Sequence, residues 1–136
     1  MHPLLIAGLA TGVAKLILDQ AEDQARQLDS TYMQTGKKCG GTTLRIKNSI
    51  DKIMDQHRYA KIGKTVQPAK RFQATDYRDY HTMYVVYETT SDAFIKHYES
   101  YFINKYSKQL DNKHENSTGR LATVKGKHYL YVVVAD

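Results

Sequence analysis

One carboxylate in this chain lies where an apolar side chain is expected. Across residues 92–108 the apolar side chains recur at the three- and four-residue spacings of one helix face. Glu99 falls inside this stripe, four residues after Ile95 and four before Ile103. A buried carboxylate is costly unless it is paired, protonated or bound to a metal. Glu99 is therefore expected to meet a cation, either a metal ion or, more simply, Lys105 or an arginine elsewhere.

A second group of charged residues precedes this helix. Residues 59–72 read Tyr-Ala-Lys-Ile-Gly-Lys-Thr-Val-Gln-Pro-Ala-Lys-Arg-Phe, which predicts a strand that ends at Gly63 and a helix that begins at Pro68 and carries Arg71. The run resembles the second strand and first helix of the GIY-YIG nucleases, where an arginine follows eight residues after the glycine. The string from Glu99 to Tyr106 resembles the family's Glu-x-x-x-Ile-x-x-Tyr, and Asn112 resembles the asparagine that follows it.

The resemblance implies a metal-dependent endonuclease that hydrolyses phosphodiester bonds of DNA. One Mg²⁺ or Mn²⁺ ion on Glu99 would act as a Lewis acid, since magnesium is commonly held by one or two carboxylates together with phosphate oxygens and water. Arg71 would grip the phosphate with its planar fork. Lys61 takes the place of the family's second-motif tyrosine, and Tyr59 projects from the same strand face. The residues expected to contact the substrate or brace the site are Lys64, Asn112 and Arg120.

The family's first strand, with its Gly-Ile-Tyr, is missing from residues 42–58. The slot beside residues 59–63 therefore needs another strand, and residues 128–134 fit it in composition. In that case the topology is permuted, and Tyr129 or Tyr131 replaces the absent tyrosine. In the competing interpretation, the C-terminal hairpin of residues 120–124 and 128–134 extends the far edge, and Tyr59 performs the chemistry. A non-catalytic nucleic-acid-binding or assembly module on the same fold is the alternative function.

The composition of the chain indicates the number of domains, the kind of partner and the location to expect. The chain has 136 residues, a net charge of +6 and a pI near 9.3, which favours one domain and a polyanionic partner. Cys39 is the single cysteine, so a reducing, cytoplasmic location is expected. The six histidines show no metal-ligand spacing along the sequence. A phosphate-binding P-loop is excluded, because Arg58 stands where that loop needs a glycine.

The predicted fold is α/β (α+β), with a small antiparallel sheet flanked by helices. Residues 42–136 would form the nuclease domain, and residues 1–35 would form a long N-terminal helix for docking or for homo-oligomerisation. That helix, predicted over residues 3–28, has Gly8 and Gly12 at a spacing that permits close helix contact. Folding back over the domain is an equal alternative, and a membrane-surface role is a third. Neither a signal peptide nor a transmembrane segment is expected.

Overall fold

The computed structural model of the chain describes residues 26–111 and 126–136. Over these ranges the fold is mixed α/β, a four-stranded sheet flanked by helices. In chain order the elements are β1 (Gln27–Asp29), α1 (Gly40–Gln56), β2 (Tyr59–Thr65), α2 (Pro68–Phe72), a 3-10 turn (Thr75–Tyr77), β3 (Thr82–Thr89), α3 (Asp92–Lys105) and β4 (His128–Ala135). None of the described helices is long and apolar enough to cross a membrane.

The last strand lies in the middle of the sheet. The strand order is β1-β3-β4-β2, and β4 pairs antiparallel with both β2 and β3. Its residues Leu130 to Val134 are at most 1% exposed, because helices or turns cover both faces at this position. The prediction that residues 128–134 fill the slot beside residues 59–63 is therefore confirmed, and the interpretation that places them on the far edge is wrong.

The sequence predicts an antiparallel sheet, but the observed sheet is mixed. Strand β1 pairs parallel with β3, so Gln27 to Asp29 extend the sheet at its edge. The predicted helix over residues 3–28 is therefore wrong at its end, and the sheet includes residues that were assigned to the N-terminal segment. The rest of that helix, residues 1–25, lies outside the described residues, as does the first arm of the predicted C-terminal hairpin.

Each face of the sheet has its own core. The large-core face carries Ala60, Ile62, Leu130, Val132 and Val134, and packs against α1 and α3. The small-core face carries Met83, Tyr131 and Val133, and packs against Phe72 of α2 and Tyr77 of the 3-10 turn. Because side chains alternate along a strand, adjacent residues of β2 point into different cores.

Local signals explain where the helices begin. Pro68 stands at the start of α2, as predicted. The sequence also predicts Ser91 as the cap of α3, and its side chain accepts a hydrogen bond from the Phe94 backbone N–H at 3.0 Å. For the helix before β2 the sequence predicts a capping residue at Asn48 or Ser49, whereas α1 begins at Gly40. Ser49 is instead a buried residue within the helix, and its hydroxyl donates to the Arg45 carbonyl at 3.2 Å.

Candidate functional site

Glu99 is buried, as the apolar stripe predicted, and its cation is Lys64. The Lys64 ammonium lies 2.6 Å from Oε1 of Glu99, and the two side chains are 7% and 8% exposed. Lys64 is opposite Leu130 in the β2–β4 ladder, so this pair lies on the large-core face. The simpler interpretation of the sequence, a lysine or arginine partner, is thus the one that the structure contains, with Lys64 in place of Lys105.

The Glu99 environment does not fit magnesium. That ion prefers a near-octahedral shell of oxygens and usually keeps several waters. Here an ammonium group lies within hydrogen-bond distance of the carboxylate, and both groups are almost completely buried. Lys64 therefore supplies the positive charge that Glu99 needs, and it takes the place expected for the metal.

Lys61 and Arg71 come together on the opposite, small-core face. Lys61 is opposite Val133 in the ladder, and its Nζ lies 5.6 Å from the centre of the Tyr77 ring. The Arg71 guanidinium carbon lies 4.4 Å from the centre of the same ring. An aromatic face attracts cations, so each of these positive groups is held near the Tyr77 ring. Tyr77 lies in a 3-10 turn without a recognisable motif, so no pattern in the sequence marks it.

A pair of tyrosines forms the floor of this arrangement. The hydroxyls of Tyr77 and Tyr131 are 2.6 Å apart and form a buried hydrogen bond. Tyr131 lies directly opposite Gly63, and a Cβ built at Gly63 would lie 2.6 Å from Cζ of Tyr131. The glycine is therefore needed because the tyrosine ring lies over the β2 backbone. We call Lys61, Arg71, Tyr77 and Tyr131 the tyrosine–cation cluster.

Electrostatics decide which groups of the cluster can exchange protons. Burial raises the pKa of Tyr131, and burial also raises the pKa of Tyr77. Burial alone would lower the pKa of Arg71, but the hydrogen bond that Arg71 donates to Asp76, together with the interactions with Tyr131 and Tyr77, raises that pKa above its usual value. At neutral pH the two phenols are therefore protonated and Arg71 is a permanent cation. The partly exposed Arg71 can donate hydrogen bonds to an anion, whereas Tyr131 is a poor general base.

Arg71 also pairs with an acidic residue beside the cluster, Asp76. Its two terminal nitrogens each lie 3.1 Å from one carboxylate oxygen of Asp76, which forms a bidentate pair. Arg71 in turn holds the pKa of Asp76 below its usual value. Both side chains are partly exposed, so an anion that approaches Arg71 competes with Asp76.

The loop behind the cluster is fixed by Arg26. Its side chain donates to the carbonyls of Tyr80, Phe72 and Tyr77, each at 3.0 Å. The guanidinium carbon also lies 4.1 Å from the centre of the Phe72 ring. Arg26 thus ties the segment that carries Arg71 and Tyr77 to the edge of the sheet where β1 begins.

The predicted site is accordingly divided between the two faces of the sheet. Lys61 and Arg71 lie on the small-core face, whereas Glu99 and Lys64 lie on the large-core face. Tyr59, two residues before Lys61, belongs to the same face as Lys61 and is 46% exposed at the start of β2. Asn112 and Arg120 lie outside the described residues. The structure therefore brings Lys61 and Arg71 together on one face and Glu99 and Lys64 together on the other.

Comparison of the chain with protein-family models, with curated proteins and with solved structures finds no match. The resemblance to the GIY-YIG nucleases thus stays a prediction from the sequence. What the fold and the cluster define together is a mixed α/β domain in which two partly exposed cations, Lys61 and Arg71, lie near buried tyrosines on one sheet face.

Proposed function

We propose that this chain is a nucleic-acid-binding module that contacts the phosphate backbone through the tyrosine–cation cluster. The observation that carries the proposal is the placement of Lys61 and Arg71 over the single ring of Tyr77. Two partly exposed cations near one ring favour an anionic ligand, and arginine and lysine side chains are common phosphate ligands. The module corresponds to the non-catalytic alternative drawn from the sequence.

The surroundings of the cluster support a polyanion. Two more exposed cations lie in the segment that packs on this face, and the whole chain has a net charge of +6. They are Lys70 on α2 and Arg78, just after the 3-10 turn. An extended phosphate backbone can contact several of these groups at once, which a single small anion cannot. The exposed Tyr59 ring provides a surface on which a base can stack.

A binding assay tests this proposal directly. Fluorescence anisotropy with a labelled duplex DNA at low salt should give measurable affinity, and Lys61→Gln combined with Arg71→Gln should weaken it about tenfold or more. The matched control is Lys52→Gln, which removes an exposed charge from α1 on the other side of the sheet. The proposal is wrong if the control and the cluster variant lose the same affinity, or if the parent does not bind.

A magnesium-dependent DNA endonuclease is the second candidate. It is favoured by the position of Tyr131, which lies opposite Gly63 on a strand that pairs with β2. In the family, the first strand pairs with the corresponding strand and carries the tyrosine of the first motif. Against it stand the burial of Glu99 with Lys64 and the raised pKa of Tyr131. Incubation of the protein with supercoiled plasmid, with and without Mg²⁺ or Mn²⁺, separates the two candidates.

In that assay an endonuclease would convert the plasmid to nicked or linear forms only with the metal. Arg71→Lys should then slow cleavage much more than it weakens binding, because the lysine keeps the charge but loses the bidentate grip. Binding without cleavage under any of these conditions would support the binding module and exclude the second candidate.

A further inference from the structure

Three strand ends meet at the end of the sheet where β2 begins. In the ladders Tyr59 is opposite Ala135, and Thr82 is opposite Val134. The residues just before β2, just before β3 and just after β4 are therefore neighbours in space. They include His57, His81 and Asp136, which the sequence separates widely.

These three side chains face one another through atoms that bind metals. Nδ1 of His57 lies 3.2 Å from Oδ1 of Asp136, and Nε2 of His81 lies 3.0 Å from Oδ2 of the same carboxylate. One ligand atom from each residue lies within 4.8 Å of the other two. Ligands in a tetrahedral zinc site are about 3.4 Å apart, which follows from metal–nitrogen distances of about 2.1 Å. The rings therefore need to move by no more than about 1.5 Å to share an ion.

The remaining nitrogen of each ring already has an oxygen partner. Nε2 of His57 lies 3.4 Å from the Tyr84 hydroxyl, and Nδ1 of His81 lies 2.8 Å from the Thr82 hydroxyl. Metal-binding histidines usually donate their other N–H to an oxygen, because this fixes the tautomer and the direction of the ring. Here both rings are oriented so that the nitrogen free of these hydroxyls points at the carboxylate.

We propose that His57, His81 and Asp136 form a binding site for Zn²⁺. Two imidazoles and a carboxylate suit zinc, and three protein ligands leave a fourth position for water or another ligand. His81 and Asp136 are partly exposed, so an ion can enter from solvent, whereas the His57 side chain is only 11% exposed and forms the inner wall. The backbone N–H of Arg58 also donates to Oδ1 of Asp136 at 3.4 Å, which helps to hold the carboxylate in place. The proposal does not depend on nucleic-acid binding.

The test is a zinc titration of the full chain, in which binding is measured by calorimetry or by competition with a coloured chelator. The parent should bind one Zn²⁺ per chain at these residues, and Co²⁺ in its place should give the absorption of a tetrahedral ion. Asp136→Asn and His57→Gln should each weaken zinc binding about 100-fold, and Tyr84→Phe should weaken it about tenfold through the ring that it orients. Asp136 is exposed, so its variant tests the site even if His57→Gln impairs folding.

Two matched controls complete the experiment. His97→Gln removes an exposed histidine of α3, and Cys39→Ser removes the exposed thiol; both should leave the zinc affinity unchanged. The proposal is overturned if the parent binds no stoichiometric zinc, or if Asp136→Asn binds it as tightly as the parent. In either case the two histidines serve only as hydrogen-bonding partners of Asp136.

Discussion

Asp76 limits how strongly Arg71 can hold an external anion. It occupies both arms of the guanidinium at 3.1 Å, so a phosphate must displace it before it can form a bidentate contact. The carboxylate also places a negative charge beside the cations of the cluster. Asp76 therefore acts against binding, and a residue with this effect can be tested by removing it.

The first prediction is that Asp76→Asn strengthens the binding of duplex DNA, by about threefold to tenfold at low salt, because it frees Arg71 and removes a repulsive charge. Asp79→Asn is the matched control, since Asp79 is also exposed in the same segment and makes no bidentate pair with Arg71 among the described contacts. The measurement is fluorescence anisotropy. An equal gain in the two variants would show that only net charge matters.

The Lys64–Glu99 pair sets the second residue-scale prediction. From the sequence alone, removal of Glu99 should relieve a desolvation cost and leave stability unchanged or higher. In the structure its removal instead leaves the buried Lys64 without this carboxylate. We therefore expect Glu99→Gln to lower the free energy of unfolding by about 3 kcal/mol, as is typical when one partner of a buried pair is lost.

The double variant Lys64→Met/Glu99→Leu provides the contrast. It removes both charges and fills the space with apolar groups, so its stability should be close to that of the parent or above it. Urea unfolding followed by circular dichroism measures both variants. If the double variant is as unstable as Glu99→Gln, the ion pair itself stabilises the fold relative to apolar groups in the same space, and the loss in Glu99→Gln is not due only to an unpaired charge.

At the scale of elements, the contact between Gly63 of β2 and Tyr131 of β4 fixes how closely the ring lies over the neighbouring strand. We predict that Gly63→Ala destabilises the protein by about 1–3 kcal/mol, because the new methyl group would overlap the Tyr131 ring. Gly40→Ala is the control, since nothing lies within 4 Å of a Cβ built there. Thermal unfolding compares the two, and similar losses would contradict the packing argument.

The elements show where sequence patterns suffice and where they do not. The alternating run around Val85, the proline at the start of α2 and the serine cap of α3 each predict their element because the signal is local. Strand β1 has three residues and no periodicity, so it depends on the free edge of β3 that it joins. Helix α1 begins earlier than the capping residues predict because Ile46, which is completely buried, packs its N-terminal half against the core.

The same limit explains the divided site. Spacing along the chain placed Arg71 on the helix after β2 and Glu99 on the helix after β3, and both placements are correct. It does not tell which face of a sheet a helix covers. Helix α2 packs on the small-core face and α3 on the large-core face, so residues with the expected order and spacing lie on opposite sides. The histidines of the proposed zinc site were missed for a related reason, since only the strand ladders bring them together.

At the scale of the whole molecule, the net charge of +6 provides a further test of the binding face. Affinity for duplex DNA should fall linearly with the logarithm of salt concentration, with a slope set by the number of phosphates contacted. Arg71→Gln should reduce that slope by about 1, whereas Lys52→Gln should leave it unchanged. Anisotropy titrations at several salt concentrations give both slopes, and binding that is independent of salt would count against a phosphate ligand.

The central position of β4 also has a consequence for how the protein is made. Strands β2 and β3 do not pair with each other; each pairs with β4, which is synthesised after both. During translation, β2 and β3 therefore leave the ribosome before β4, which pairs with both, has been synthesised. Their pairing joins residues far apart in sequence, which slows folding and leaves unpaired edges exposed in the meantime. The sheet of the nascent chain therefore cannot form before β4 has been synthesised, and the chain is most open to aggregation or chaperone binding until then.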